Sequence, residues 1–154
     1  MKSCFFFVML TLLCTRVDAQ KIPLSTLTGC IGKGEAVFIE YLEKHGWDHS
    51  DFNAADSIVE WQYRLGDNSF LTLNYYLGKS SGKIYTVELD LLKSEYLTIL
   101  NNSDAYGLKK AGIRRKGTEI YNDFTKGGVR IALYQSPQGN GNRYSLIVYA
   151  FSHE

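Results

Sequence analysis

The sequence predicts an α+β domain whose antiparallel sheet is built from two helix-plus-three-strand units, in the order α-β-β-β-α-β-β-β. Three observations predict it. One stretch, Glu35 to His45, repeats its apolar residues with a helical period. Several later stretches alternate apolar and polar residues with a period of two. Short polar, glycine-bearing turns separate those stretches and so join them antiparallel.

Taken in order, residues 1–19 read as a cleavable signal peptide. Lys2 is a positive n-region, Phe5 to Leu13 an apolar h-region, and Val17-Asp18-Ala19 a cleavage site. The apolar run is shorter than the ~20 residues that span a bilayer. Leu27-Thr28-Gly29-Cys30 has lipobox spelling but stands too far from the h-region to be processed with it, and Cys14 follows a leucine. The expectation is export, to the periplasm or the extracellular space, as a single domain over residues 20–154 without stable membrane insertion. Cleavage would leave 15 basic and 15 acidic residues, from 17 and 16, and one thiol, Cys30. A neutral domain has no global field to attract nucleic acid, and one thiol cannot form an internal disulfide.

Residues 20–34 carry Pro23 and several glycines and read as an extended lead-in. Over Glu35–His45, Val37, Phe38, Tyr41, Leu42 and His45 share one helix face, and Gly46 follows as the stop. Val59, Trp61, Tyr63 and Leu65 then alternate with polar residues. Turns at Gly66-Asp67-Asn68 and Gly78–Gly82 lead to strands with Leu71, Leu73, Tyr75 and Leu77, then Tyr85, Val87, Leu89 and Leu91, on the inner face.

The second unit starts with a helix over Ser94–Leu100 and a further helical turn within Ser103–Gly112. Strands follow near Thr118–Phe124, Gly128–Gln135 and Arg143–Phe151, the last apolar enough to lie in the sheet centre. A candidate internal duplication carries Phe38 to Tyr96, Leu42 to Leu100, Leu71 to Val129, Leu73 to Ile131 and Tyr75 to Leu133. One added residue then carries Tyr85 to Tyr144, Val87 to Leu146 and Leu89 to Val148, whereas Trp61 meets Glu119 and Leu65 meets Asp123. The helices are expected to pack on one sheet face.

No motif for catalysis, metal or cofactor stands out. His45 and His49 are four apart, but Gly46 ends the helix between them and no glutamate follows His45. Cys30 lies in a glycine-flanked loop with no base held beside it. Gly29-Cys30-Ile31-Gly32-Lys33-Gly34 lacks phosphate-loop spacing and a leading strand, and reads as a linker. Lys109, Lys110, Arg114, Arg115 and Lys116 form a basic cluster expected on a solvated face, and Asn101-Asn102-Ser103 spells a glycosylation sequon.

Tyrosine is the compositional excess, at 11 residues. Tyr63, Tyr75, Tyr85 and Tyr144 fall on inner faces. Tyr76, Tyr134 and Tyr149 fall on the opposite register, beside Asn74 and Arg130, where a bare sheet face would present them as low-entropy contact residues. The hairpin loop Ser136–Asn142, with Gln138 and Asn140 at its tip and Tyr134 and Arg143 at its flanks, is the longest of the turns. A doubled helix-plus-meander unit is similar in outline to small exported inhibitor and immunity-type proteins. The expected function is a non-enzymatic binding module acting on a protein partner through Tyr76, Tyr134, Gln138, Asn140, Arg143 and Tyr149. A small apolar ligand held between sheet and helices is the alternative, and a small hydrolase the third.

Overall fold

The computed structural model describes residues 22–53, 56–66 and 69–151. The expected signal peptide lies outside the described residues, as do Asp67 and Asn68 of the first expected turn. In chain order the elements are α1 (Leu24–Cys30), α2 (Ala36–Lys44), β1 (Asp48–Asn53), β2 (Ile58–Gly66), β3 (Ser69–Leu77), β4 (Ile84–Asp90), α3 (Lys93–Asn101), a 3₁₀ turn (Ser103–Tyr106), β5 (Lys109–Lys116), β6 (Glu119–Lys126), β7 (Val129–Gln138) and β8 (Gly141–Ala150). Among the described residues, eight strands form one open antiparallel sheet, ordered β1-β2-β3-β4-β8-β7-β6-β5. The fold is therefore mixed α and β and mostly sheet, with each half a four-stranded meander rather than the three-stranded one expected.

The added strands are β1 and β5, which occupy the two sheet edges. Every residue of β1 is exposed, as is every residue of β5 except the half-buried Gly112. A strand with no buried face carries no apolar alternation to read, and charge on an edge also discourages pairing with other chains. Each edge strand has a bulge at its third residue, Ser50 in β1 and Ala111 in β5. His49, expected in a loop, is part of β1, and the basic cluster is β5 itself.

The lead-in expected over residues 20–34 is not extended throughout. Pro23 suits a helix start, where a missing N–H costs nothing. Leu24 and Leu27 then lie three apart, and Leu27 and Cys30 are buried. The glycine-rich segment after α1 is not a free linker: Gly32 N–H donates to Ile84 O at 2.7 Å and Ile84 N–H to Lys33 O at 2.9 Å. Helix α2 stops as expected, with Gly46 in the left-handed region at φ +77°. Its buried face is narrower than expected: Phe38 and Leu42 are inside, but Val37 is 78% exposed.

The core follows from register. Val59, Tyr75, Val87, Val148, Ile131 and Phe124 are cross-strand partners in one continuous row from β2 to β6. Trp61, Leu73, Leu89, Leu146 and Leu133 form the next row, and both rows are buried. Helix residues Leu27, Cys30, Phe38, Leu42 and Tyr96 belong to the same buried cluster. Phe38 meets Tyr75 edge-on at 5.8 Å, and Tyr96 packs against Tyr144 at 4.9 Å. Full burial of each such side chain contributes roughly 1.5–3 kcal/mol. Tyr85 departs from the expected inner face. A bulge between Tyr76 and Leu77 pairs Leu77 with Ile84, so Ile84 takes the buried position and Tyr85 is 45% exposed.

Candidate functional site

The alternate residues of the same strands make a second, polar surface. One row runs Tyr76, Thr86, Tyr149, Arg130, the next Asn74, Glu88, Ile147, Ala132, Asp123, and a third Asp90, Ser145, Tyr134, Tyr121, Arg114. Asn74, Tyr76, Tyr134 and Tyr149 are half-buried and Arg130 is exposed, all on this register as their alternation requires. The small central residues Ala132 and Ser145 are covered by their neighbours, at 1% and 0% exposure.

Ion pairs and hydrogen bonds fix Arg143, Tyr134, Tyr121 and Arg114. Arg143 Nε donates to Asp90 Oδ1 at 2.9 Å, and its Nη2 lies 2.9 Å from the same oxygen and 3.2 Å from Glu88 Oε1. Ser145 Oγ donates to Asp90 Oδ1 at 3.1 Å. Burial opposes the Arg143 charge, but Asp90 and Glu88 outweigh it and hold the guanidinium above its ordinary pKa. Glu119 accepts from two phenols, Tyr121 and Tyr134, at 3.0 Å each, and their rings pack 4.8 Å apart. Burial first, then the bond to Glu119, pushes the Tyr121 phenol up to about 12. Arg114 stacks over the Tyr121 ring at 4.7 Å and forms a two-point ion pair with Asp123. Across the sheet, Tyr76 lies 6.1 Å from Tyr85. Its phenol is raised by burial and by Glu88.

The tip residues Gln138 and Asn140 stand apart from this set. The expected Ser136–Asn142 loop is absent, because β7 and β8 stay paired out to Gln138 and Gly141. What remains is a tight turn at Gly139 and Asn140, with Gly139 at φ +55°. Gln138 lies four steps along the strand from Tyr134, roughly 13 Å at about 3.3 Å per residue. Tyr134 and Arg143 therefore belong to the sheet face, while Gln138 and Asn140 are exposed at its end.

Glu88, Asp90, Glu119, Tyr121 and Arg114 are the face residues that the sequence reading missed. Tyr121 was legible, since it is out of phase with the apolar Phe124 in an expected strand. Arg114 was not, because its strand has no apolar phase.

The groups considered for chemistry lie elsewhere. Cys30 Sγ donates to Leu27 O at 3.1 Å, and burial pushes the thiol up to about 11, the reverse of an activated nucleophile. His45 stacks on Tyr41 at the end of α2, with Nδ1 2.7 Å from Tyr41 O. His49 meets the Trp61 ring edge-on from β1. Among the described residues, no three His, Cys, Asp or Glu side chains are grouped as metal ligands would be.

No protein-family model, curated protein or solved structure matches this chain. Its own geometry carries the functional reading. Among the described residues, no helix is long and apolar enough to cross a membrane.

Proposed function

We propose that this protein is an exported, non-enzymatic binding module that holds a protein partner on the polar sheet face bearing Tyr76, Tyr134, Arg143 and Tyr149. The observation that carries the reading is the prior fixing of that face. Arg143 is held by Asp90 and Glu88, and Tyr134 by Glu119 and the Tyr121 ring. Tyrosine and arginine are the side chains that most often dominate interface energetics. Holding them in place before contact removes rotamer entropy that binding would otherwise cost, about 0.5–1.5 kcal/mol for each mobile side chain. The helices contribute to the core with the opposite set of strand residues, which leaves this face to the partner. Gln138 and Asn140 extend it as a rim, and export rests on residues 1–19.

We further infer that the face is assembled from two related halves. Under the correspondence that carries Val87 to Leu146 and Leu89 to Val148, Val87 pairs with Val148 and Leu89 with Leu146. Each is thus bonded to the equivalent of the other, and Glu88 is bonded to its own equivalent, Ile147. The matching bulges at Ser50 and Ala111 support the same relation. So does the pairing of Trp61 with Leu73 and of Phe124 with Ile131. That register makes Phe124 rather than Glu119 the counterpart of Trp61, with a longer β2–β3 hairpin accounting for the shift.

Affinity capture with the purified protein as bait tests the binding reading. A specific partner should be retained by the unaltered protein and lost with Tyr76→Ala combined with Tyr134→Ala, at an unchanged melting temperature. Retention of every captured protein by that double variant would remove the face from consideration.

A further inference from the structure

The two edges of the sheet carry opposite charge. β1 holds Asp48 and Asp51 and neither lysine nor arginine, whereas β5 holds Lys109, Lys110, Arg114, Arg115 and Lys116. Each edge also exposes one large apolar side chain, Phe52 at 53% and Ile113 at 55%. Both lie on the helix side of the sheet: Phe52 pairs with buried Val59, and Ile113 with Asn122, which donates to Tyr96. Their neighbours Asp51 and Arg114 lie on the other side, where Asp51 pairs with Glu60 and Arg114 stacks on Tyr121. The backbone agrees with the side chains. The two-residue turn Gly117-Thr118 makes Lys116 and Glu119 a bonded pair, so alternation turns Arg114 toward β6 and the N–H and C=O of Ile113 to the free edge. On the other side of the molecule, Leu77 N–H donates to Ser57 O at 2.9 Å and Ser50 Oγ to Glu60 O at 3.3 Å. Glu60 thus faces β1, Asp51 faces it in return, and the N–H and C=O of Phe52 point to the free edge.

We propose that β1 of one copy pairs with β5 of a second copy, extending the sheet from molecule to molecule. Every neighbouring pair of strands is antiparallel, so β1 and β5 run in opposite directions. A second copy set alongside in the same orientation therefore meets β1 antiparallel, with its helices on the same side. Phe52 opposite Ile113 then exchanges both backbone hydrogen bonds and covers the two exposed apolar side chains with each other. The same register sets Asp51 opposite Arg114, whose side chain is 58% exposed. Charge excludes the symmetric alternatives: β5 against β5 would oppose lysines and arginines, and β1 against β1 would oppose aspartates. The edge charge that blocks like pairing thus selects the unlike one. Such a junction is heterologous and leaves a free β1 and a free β5 at the ends of any open chain of copies.

The test is sedimentation of the purified protein over a range of concentrations at low salt. The mean mass should rise beyond that of a dimer, because each added copy leaves an edge to be filled. Raising the salt from about 0.1 to about 1 M shortens the Debye length from about 10 to about 3 Å, and should weaken association several-fold. Phe52→Pro and Ile113→Pro each remove an N–H that points to the free edge, without breaking the ladder to β2 or β6. Each variant alone should stay monomeric. Mixed in equal amounts they should form a one-to-one pair and nothing larger, since Ile113→Pro keeps an intact β1 and Phe52→Pro an intact β5. Val37→Asp, at an apolar position 78% exposed on α2, should leave association unchanged. A protein still monomeric at millimolar concentration would leave β5 to a foreign acidic strand and overturn the proposal. A mass that stops at the dimer, association strengthened by salt, self-association of either proline variant, or loss of association with Val37→Asp would each overturn it too. If a proline variant does not fold, the concentration and salt series on the unaltered protein still decide the matter.

Discussion

The two faces of this sheet are made by the same strands, yet they use burial for opposite ends. From Val59 to Phe124 the inner row is apolar and closed beneath helix residues such as Phe38 and Tyr96. One residue out of phase, Tyr76, Tyr149 and Tyr134 stand on a surface where Tyr76 lies beside Tyr85 and Tyr134 leans on Glu119 and the Tyr121 ring. The inner face holds the chain folded by excluding water. The outer face spends stability on fixing polar side chains, as Arg143 shows, since burial opposes the very charge that Asp90 and Glu88 retain. If this contrast is right, truncations on one face should act on stability and truncations on the other on binding.

The largest effect belongs to the inner face. Trp61 is 3% exposed in the second buried row, so Trp61→Ala should cost roughly 3–5 kcal/mol in a denaturant titration. A loss of only a few tenths would mean that Trp61 does not face the core, and the comparison of faces would collapse.

Alkaline pH sharpens the same contrast. The Cys30 thiol is raised by burial from 9.0 to about 11. Below pH 9 both folded and unfolded chains keep the proton, so the stability is intact. Above it the unfolded chain ionises first, and stability falls until the folded thiol also titrates near pH 11. The shift corresponds to a loss of up to about 2–3 kcal/mol. Tyrosines titrate over the same range in every variant, so the informative quantity is a difference. Cys30→Ala should lose less stability between pH 8 and about 10.5 than the unaltered protein does. Equal losses would show that the thiol is solvated, and α1 would not be closing the core.

These expectations also mark what sequence could reveal. Val59, Trp61, Leu73 and Val87 announced their phase because one side of each strand is buried and the other is not. Tyr76, Tyr134 and Tyr149 were placed by the same alternation. Tyr85 was misplaced because a bulge shifts the phase by one residue, and a bulge leaves no mark on apolar periodicity. β1 and β5 were missed because edge strands with no buried side look like loops. The partners of Arg143 were not legible either: Glu88 and Asp90 reach it only because β4 and β8, far apart in sequence, are neighbours in the sheet.

On the outer face the effects should move from stability to affinity. Tyr134→Ala and Arg143→Ala should each weaken the partner complex by about 1–2 kcal/mol, measured by calorimetry. Arg143→Ala should also lower stability by about 1 kcal/mol, because half-buried Glu88 and Asp90 lose their counter-ion. Tyr134→Ala should change the melting temperature less, since its ring bears on Tyr121 and not on the core. If both variants bind with full affinity, the basic edge strand β5 becomes the surface to test.

The smallest effect should be at the end of the β7–β8 hairpin. Gln138 and Asn140 are exposed, and no side-chain hydrogen bond fixes either of them, in contrast to Tyr134 and Arg143. An unanchored rim side chain pays its own ordering entropy on contact, which offsets most of the hydrogen bond it makes. Gln138→Ala and Asn140→Ala should therefore each change affinity by less than about 0.5 kcal/mol, and stability hardly at all. Asn140 sits beside Gly139, whose φ of +55° sets the turn. Replacing Gly139 by alanine is the control, because it strains the turn without adding or removing a rim contact. A loss above 1 kcal/mol in binding for Gln138→Ala or Asn140→Ala, with Gly139→Ala neutral, would move the centre of recognition to the hairpin tip. The prior fixing of Tyr134 and Arg143 would then have to be explained by something other than partner binding.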